Sequence, residues 1–411
     1  MIRVTRHVLP NGLRVVHRQD PSTVMAAVDV IYNVGSRDES RELTGVAHLF
    51  EHLMFGGSVN VPDFDGEVER AGGWNNAWTS NDYTNFYTVV PAVNVETAFR
   101  LESDRMLALS FNAKALEVQR NVVVEEFKTT CLNQPYGDLT HRLRELLYPT
   151  HPYGWPTIGI IPDHILNVTD SDVREWFYSH YAPNNAVLVV TGNVTAEHAV
   201  ALAEKWFGPI PRREIAPRTY APEKPITEAR QMIVDGPVPQ TEVVMAWHMP
   251  GRLHPDYKVC DLISDVLANG QSSRFYQRLF MGTDIFTEID ASILGSEEPG
   301  LFLIQGRLRE NGEEQERRAI EAVTEQLHLL MTEGPTPHEM ERAANKFEST
   351  LTLGNLSYLT QALNLAEAEI AGIDPDRLVA DYRSVTPDDV RRVATDLLAP
   401  SKCGTLIYRP R

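Results

Sequence analysis

Three short signatures occur twice in this chain at one fixed spacing. Val168-Thr169, Asp172-Val173-Arg174 and Ala182-Pro183 return as Val385-Thr386, Asp389-Val390-Arg391 and Ala399-Pro400, each pair 217 positions apart. Chance does not hold register over three signatures, so the shared offset marks an internal duplication. Gly35, closing the strand-like run from Met25 to Val34, has a counterpart near Gly251, and Gly57 has Gly270 at a nearly equal shift. A chain of 411 residues is too long for one ordinary core. The duplication says how it divides: into two copies of one α+β domain, with strands and helices in the same order. Proline density rises and periodicity vanishes from Pro209 through Pro217, Pro222 and Pro225. That places a first domain at 1–212, a linker at 213–228 and a second domain at 229–411.

The copies differ where it matters chemically. The first carries Gly45-Val46-Ala47-His48-Leu49-Phe50-Glu51-His52-Leu53, while the second, between Tyr257 and Gly270, has no histidine. Residues four apart on an α-helix share a face, so His48 and His52 can both point at one ion. Glu51 sits at the edge of that face, where its carboxylate can reach a water without being a ligand. On a buried apolar face each of these groups would need its own partner, whereas a metal supplies one partner for all. The order His-x-x-Glu-His reverses the commoner zinc motif His-Glu-x-x-His. A helical pattern over 113–128 puts Val118, Val122 and Glu126 in one column beside Glu125, and either glutamate suits a third ligand. The stretch from Ala71 to Val90 reads as strands; it is either an ordinary hairpin or an exposed edge able to add an extended peptide. His151, in a loop, reads as a structural hydrogen-bonder.

A net charge of −18 argues against nucleic acid as the main partner and is compatible with cationic peptides. No apolar run long enough for a membrane span or a secretory segment occurs, which suggests a cytoplasmic protein, or a periplasmic one if a leader was removed. Three widely separated cysteines, Cys131, Cys260 and Cys403, fit a reducing compartment and lack metal-ligand spacing.

Taken together, the motif, Leu9-Pro10-Asn11-Gly12-Leu13, Asn76-Ala77-x-Thr79, Arg120-Asn121-Val122-Val123-Val124-Glu125-Glu126 and Tyr181-x-Pro183-Asn184 resemble the M16 metallopeptidases, the inverzincins, across essentially the whole chain. The resemblance implies two tandem domains, each a mainly antiparallel sheet packed against helices, together half of a four-domain clamshell closed by a second chain. It implies one Zn2+ per chain held by His48, His52 and Glu126, the last picked out as the glutamate six residues after Arg120. It further implies Glu51 as general base, and Asn76 and Ala77 on the strand that pairs with a peptide substrate. The activity expected is that of a zinc endopeptidase acting on unfolded peptides inside a dimeric chamber; a non-catalytic scaffold of the same family is the alternative.

Two departures from the family pattern stand out. Gln119 occupies the place of a glutamate that tunes the zinc site. Phe280 and Thr287 occupy the places of an arginine and a tyrosine that hold the developing oxyanion. The chain is therefore expected to be the zinc-bearing half of a heterodimer whose partner supplies that pair, or else a homodimer using Arg274 or Tyr276. No nucleic-acid or membrane partner is expected.

Overall fold

The computed structural model describes residues 4–411. The chain forms two compact units, and they are not consecutive halves. One takes the chain up to Lys128, Trp155–Tyr220 and Thr352–Pro375; the other takes Thr129–Gly154, Ala221–Leu351 and Asp376–Arg411. Each half thus lends one segment to the unit built mainly from the other.

The first unit holds a six-stranded sheet made of β1 (Val4–Val8), β2 (Arg14–Gln19), β3 (Met25–Tyr32), β4 (Trp74–Thr79), β5 (Thr84–Pro91) and β6 (Ala186–Gly192), in the order β1-β2-β6-β3-β5-β4. The second holds β7 (Arg230–Gly236), β8 (Glu242–Met249), β9 (Phe286–Leu294), β10 (Gly300–Leu308) and β11 (Gly404–Pro410), in the order β7-β11-β8-β10-β9. With β1 set aside, the orders coincide strand for strand. The senses coincide too: β2–β6 and β7–β11 are parallel and every other pairing is antiparallel. The repeated sequence signatures mark equivalent helix starts. Thr169 and Thr386 each cap a helix, Asp170–His180 and Pro387–Leu397, and each forms a reciprocal capping box with an aspartate three residues on. Each box satisfies two helix-end donors, so its Thr-x-x-Asp spacing persists in both copies.

The exchange of segments follows from the strands' composition. β3 and β6 are buried almost throughout, so the sheet needs cover on both faces. One face, carrying Val28, Val30, Tyr32, Leu188 and Val190, packs on helices that supply Leu49, Phe50, Phe99 and Phe177. The other, carrying Ala27, Ile31, Val187 and Val189, packs on Ala362, Leu365 and Ala366 of helix Tyr358–Ala371, which the chain reaches only after building most of the second unit. Arg6 pairs with Glu369 of that helix at 2.8 Å. In the second unit the corresponding cover is helix Leu139–Leu147, whose Leu143 and Leu147 pack on Val244, Ala246, Leu301, Leu303 and Leu406. Among the described residues no helix is long and apolar enough to cross a membrane.

Leu365 is buried, so Leu365→Ala should cost about 2–4 kcal/mol in urea unfolding. The loss should appear as faster amide exchange in β3 and β6; exchange quickened only in β7–β11 would contradict the assignment of this helix to the first sheet.

Candidate metal centre

The motif helix, Val46–Leu53, buries Val46, Ala47, Leu49, Phe50 and Leu53 and leaves His48, Glu51 and His52 on its other side, partly exposed. Its start is fixed by three features. Gly45 has φ +87°, and a Cβ there would lie 2.4 Å from Ile165 Cδ1 and 2.9 Å from the Ile158 carbonyl; only glycine fits. Thr44 Oγ1 lies 2.8 Å from His164 Nδ1 and accepts from Ile160 N at 2.8 Å. The buried Glu39 carboxylate accepts from Gly45 N at 2.9 Å and Ala47 N at 2.8 Å, so a side chain outside the helix satisfies donors that the helix end leaves open. Burial pushes the Glu39 carboxyl up to about 8, against the pull of those two amides.

Glu126 comes from helix Ala113–Phe127, which starts at Asn112, whose side chain accepts from Lys114 N. Arg120 pins this helix by donating to the carbonyls of Leu166 and Val168, both at 2.9 Å. Beyond Phe127 the chain continues in a π-helical turn, Lys128–Leu132. The expected apolar column needs correction: Val118 and Val122 are 49% and 44% exposed, and the helix buries Leu116, Val123, Val124 and Phe127 instead. A fifteen-residue helix buries only the stripe that meets the core, and Glu126 lies at the border of that stripe. Glu125 pairs with Lys128 at 2.6 Å, and Glu126 is the glutamate that lies beside the two imidazoles.

His48 Nε2 lies 3.7 Å from Glu126 Oε1, and His52 Nε2 lies 3.5 Å from Glu126 Oε2. Among the described residues these three are the one group of histidine, cysteine or acidic side chains whose ligand atoms all lie within 4.8 Å of one another. Two donors about 2.0–2.1 Å from a tetrahedral zinc would stand roughly 3.4 Å apart, so the set is near the separation that one ion requires. The charge states also suit a cation. Burial pushes the His48 imidazole down to about 4, leaving it neutral, and a hydrogen bond with His52 holds Glu126 low, leaving it ionised. His48 Nδ1 is buried with no hydrogen-bond partner among the described residues. Glu51 stays out of the cluster; burial raises its carboxyl, and Thr79 Oγ1 donates to its Oε2 at 2.5 Å. The set therefore offers two imidazole nitrogens, one carboxylate and an adjacent acid.

The remaining predicted residues divide. Asn76 and Ala77 lie on β4, an outer strand paired on one side only, and the Asn76 carboxamide oxygen accepts from Ala77 N at 2.9 Å. Gln119 stands two turns before Glu126 on the same helix. Arg274 is a correction. Its guanidinium is buried, grips Glu339 at 2.7 and 2.9 Å and donates to the Gly334 carbonyl at 2.8 Å, so it braces the second unit and is not free to meet an oxyanion. Tyr276 is half-buried in that unit and stacks on Phe280 at 5.3 Å between centroids. His151 is buried and accepts from Tyr153 N at 3.1 Å, and all three cysteines are buried and outside any disulfide. From sequence alone Glu39 has no assigned role, and Thr79 enters only as part of Asn76-Ala77-x-Thr79. Thr79 was recoverable, because strand alternation puts it on the same face as Ala77; Glu39 was not, because its contact depends on the loop's path.

Two family profiles match in succession: "Insulinase (Peptidase family M16)" over residues 14–159 and "Peptidase M16 inactive domain" over residues 167–347. An uncharacterised zinc protease of Mycobacterium leprae is 30% identical over 320 residues, covering 73% of this chain and 70% of that protein. The chain belongs to peptidase family M16. The zinc protease PqqE of Helicobacter pylori is 34% identical to this M16 chain over 272 residues, 64% of this chain and 61% of the relative. A crystal structure of a protease from Helicobacter pylori superposes with a TM-score of 0.93 over the whole of both chains, at 26% identity. Of the two M16 copies, the one matched by the insulinase profile carries the cluster.

The raised Glu39 carboxyl gives a signed pH effect. Its folded value, about 8, lies above the unfolded one, so its contribution is complete below about pH 4.3 and is lost as pH rises through 8. Relative to Glu39→Gln, the parent should lose about 1 kcal/mol of unfolding free energy per pH unit between pH 5 and 8. Urea titrations at each pH check this, and a pH-independent difference contradicts it.

Proposed function

We propose that this chain is a zinc endopeptidase that cleaves extended peptides. The observation that carries the reading is the convergence of two imidazoles and one carboxylate on a single point, with Glu51 adjacent but outside. Zinc fits the donor set: His48, His52 and Glu126 would hold it, leaving a fourth position open. When bound, the ion lowers the pKa of water to about 7 and polarises a carbonyl.

The chain's own residues do the rest. Glu51, its carboxyl raised by burial, takes a proton from the attacking water and returns it to the leaving amine. Glu126 stays ionised beside the imidazoles, so it supplies negative charge to the cation and not a proton to the substrate. β4 offers backbone donors and acceptors along its outer edge, so an extended peptide can add as a further strand, with Asn76 and Ala77 beside the scissile bond. Oxyanion stabilisation is the missing part. Phe280 and Thr287 cannot donate as an arginine and a tyrosine would, and Arg274 is committed to Glu339. We therefore assign that role to a partner chain of the same family carrying the arginine and tyrosine, in a heterodimer that encloses unfolded peptides.

Purified without chelators, the parent should contain about one zinc per chain by mass spectrometry of metals. His48→Ala should lose it. Glu51→Gln should keep it while peptide hydrolysis falls by at least about 100-fold. Zinc absent from the parent, or unaltered hydrolysis by Glu51→Gln, would contradict the reading and favour the scaffold alternative. Strong activity of the isolated chain would remove the heterodimer alone.

A further inference from the structure

Glu51 is gripped by a side chain that lies outside the zinc motif. Thr79, whose hydroxyl donates to Glu51 Oε2, is the last residue of β4, the outer strand of its sheet. Ala77, two residues earlier and on the same face, packs against the core on which the motif helix sits. Just past Thr79 the chain is pinned. The carbonyls of Ser80 and Asn81 accept from Ser36 N at 3.1 Å and Arg37 N at 3.0 Å, and the buried Arg37 guanidinium lies 3.1 Å from the Asp82 carboxylate. Trp155 Nε1 donates to the Ser36 carbonyl at 2.9 Å. That same short segment, 36–39, delivers Glu39 to the start of the motif helix. One anchored stretch therefore sets both the start of the helix and the end of the strand, and the Thr79 hydroxyl closes the loop between them at the carboxylate.

We propose that Thr79 is a positioning residue for Glu51. Its hydroxyl occupies one carboxylate oxygen, leaves the other to face the attacking water, and ties that orientation to the strand that receives the peptide backbone. The terminal torsion of a glutamate is broad and nearly two-fold, so an untethered carboxylate samples many orientations. A single short hydrogen bond to a strand residue removes that freedom, and a peptide paired along β4 would stiffen the tether. The inference rests on the reading of Glu51 as general base.

Thr79→Val removes the hydroxyl at nearly constant volume, and Thr79→Ser keeps it. With the zinc-loaded chain assembled with its M16 partner chain and an extended fluorogenic peptide, Thr79→Val should lower kcat 10- to 100-fold, with KM within about threefold of the parent complex and zinc content and Tm unchanged. Thr79→Ser should restore kcat to within about threefold. Crystal structures of the metal-free parent and variants give a readout independent of turnover: the Glu51 carboxylate should stay within hydrogen-bond distance of residue 79 in the parent and Thr79→Ser, and leave it in Thr79→Val. The proposal is overturned by unchanged kcat in Thr79→Val, by an equally deep loss in Thr79→Ser, or by a loss that follows a fall in zinc content or Tm, which would assign Thr79 to packing. Failure of the underlying reading looks different, because Glu51→Gln would then be as active as the parent whatever stands at position 79.

Discussion

The site depends on how one short helix is seated. Leu49, Phe50 and Leu53 go into the core between helices and sheet, and once that face is committed, His48, Glu51 and His52 must emerge on the opposite one. Eight residues of isolated helix would not persist in water, so its orientation is borrowed from its surroundings: the core beneath it, the glycine turn that admits it and the Glu39 carboxylate at its start. The candidate metal-binding side chains inherit their placement from these. Glu126, arriving on a separate helix anchored by Arg120, needs only to meet a pair of imidazoles already fixed in place.

The duplication shows which part of this arrangement is structural and which is chemical. In helix Tyr257–Leu267 of the second unit, Cys260, Leu262, Ile263 and Val266 are buried, in the spacing of Ala47, Leu49, Phe50 and Leu53. The positions matching His48, Glu51 and His52 in that register are Asp261, Ser264 and Asp265. The second copy has the same packing without the imidazoles. Asp261 instead accepts from the Tyr382 hydroxyl at 2.6 Å, a contact internal to the fold.

Much of this was legible in the sequence, and the reasons can be named. The repeat at constant spacing revealed two copies because capping boxes and strand ends tolerate little change in length. The histidine pair was legible because helical periodicity is local. The resemblance to M16 singled out Glu126, which lies beside the imidazoles while Glu125 pairs with Lys128. What could not be read is what depends on long-range return of the chain. Nothing local in the sequence says that Leu139–Leu147 and Tyr358–Ala371 return to cover the sheets they do, so two contiguous domains were expected where segments are exchanged. The same limit hid Glu39, which reaches the motif helix only through the path of a loop. Arg274 drew attention by its place in the sequence, and only its contact with Glu339 reveals its structural use.

The claim that two imidazoles and a remote carboxylate share one cation is tested most directly by diffraction at wavelengths either side of the zinc absorption edge, on crystals of unchelated protein. The account predicts one anomalous peak per chain, about 2.0–2.2 Å from His48 Nε2, His52 Nε2 and a Glu126 carboxylate oxygen, with Glu51 outside bonding distance. A peak that Glu126 does not touch, a peak ligated by Glu51, or none at the cluster in protein supplied with zinc would contradict it.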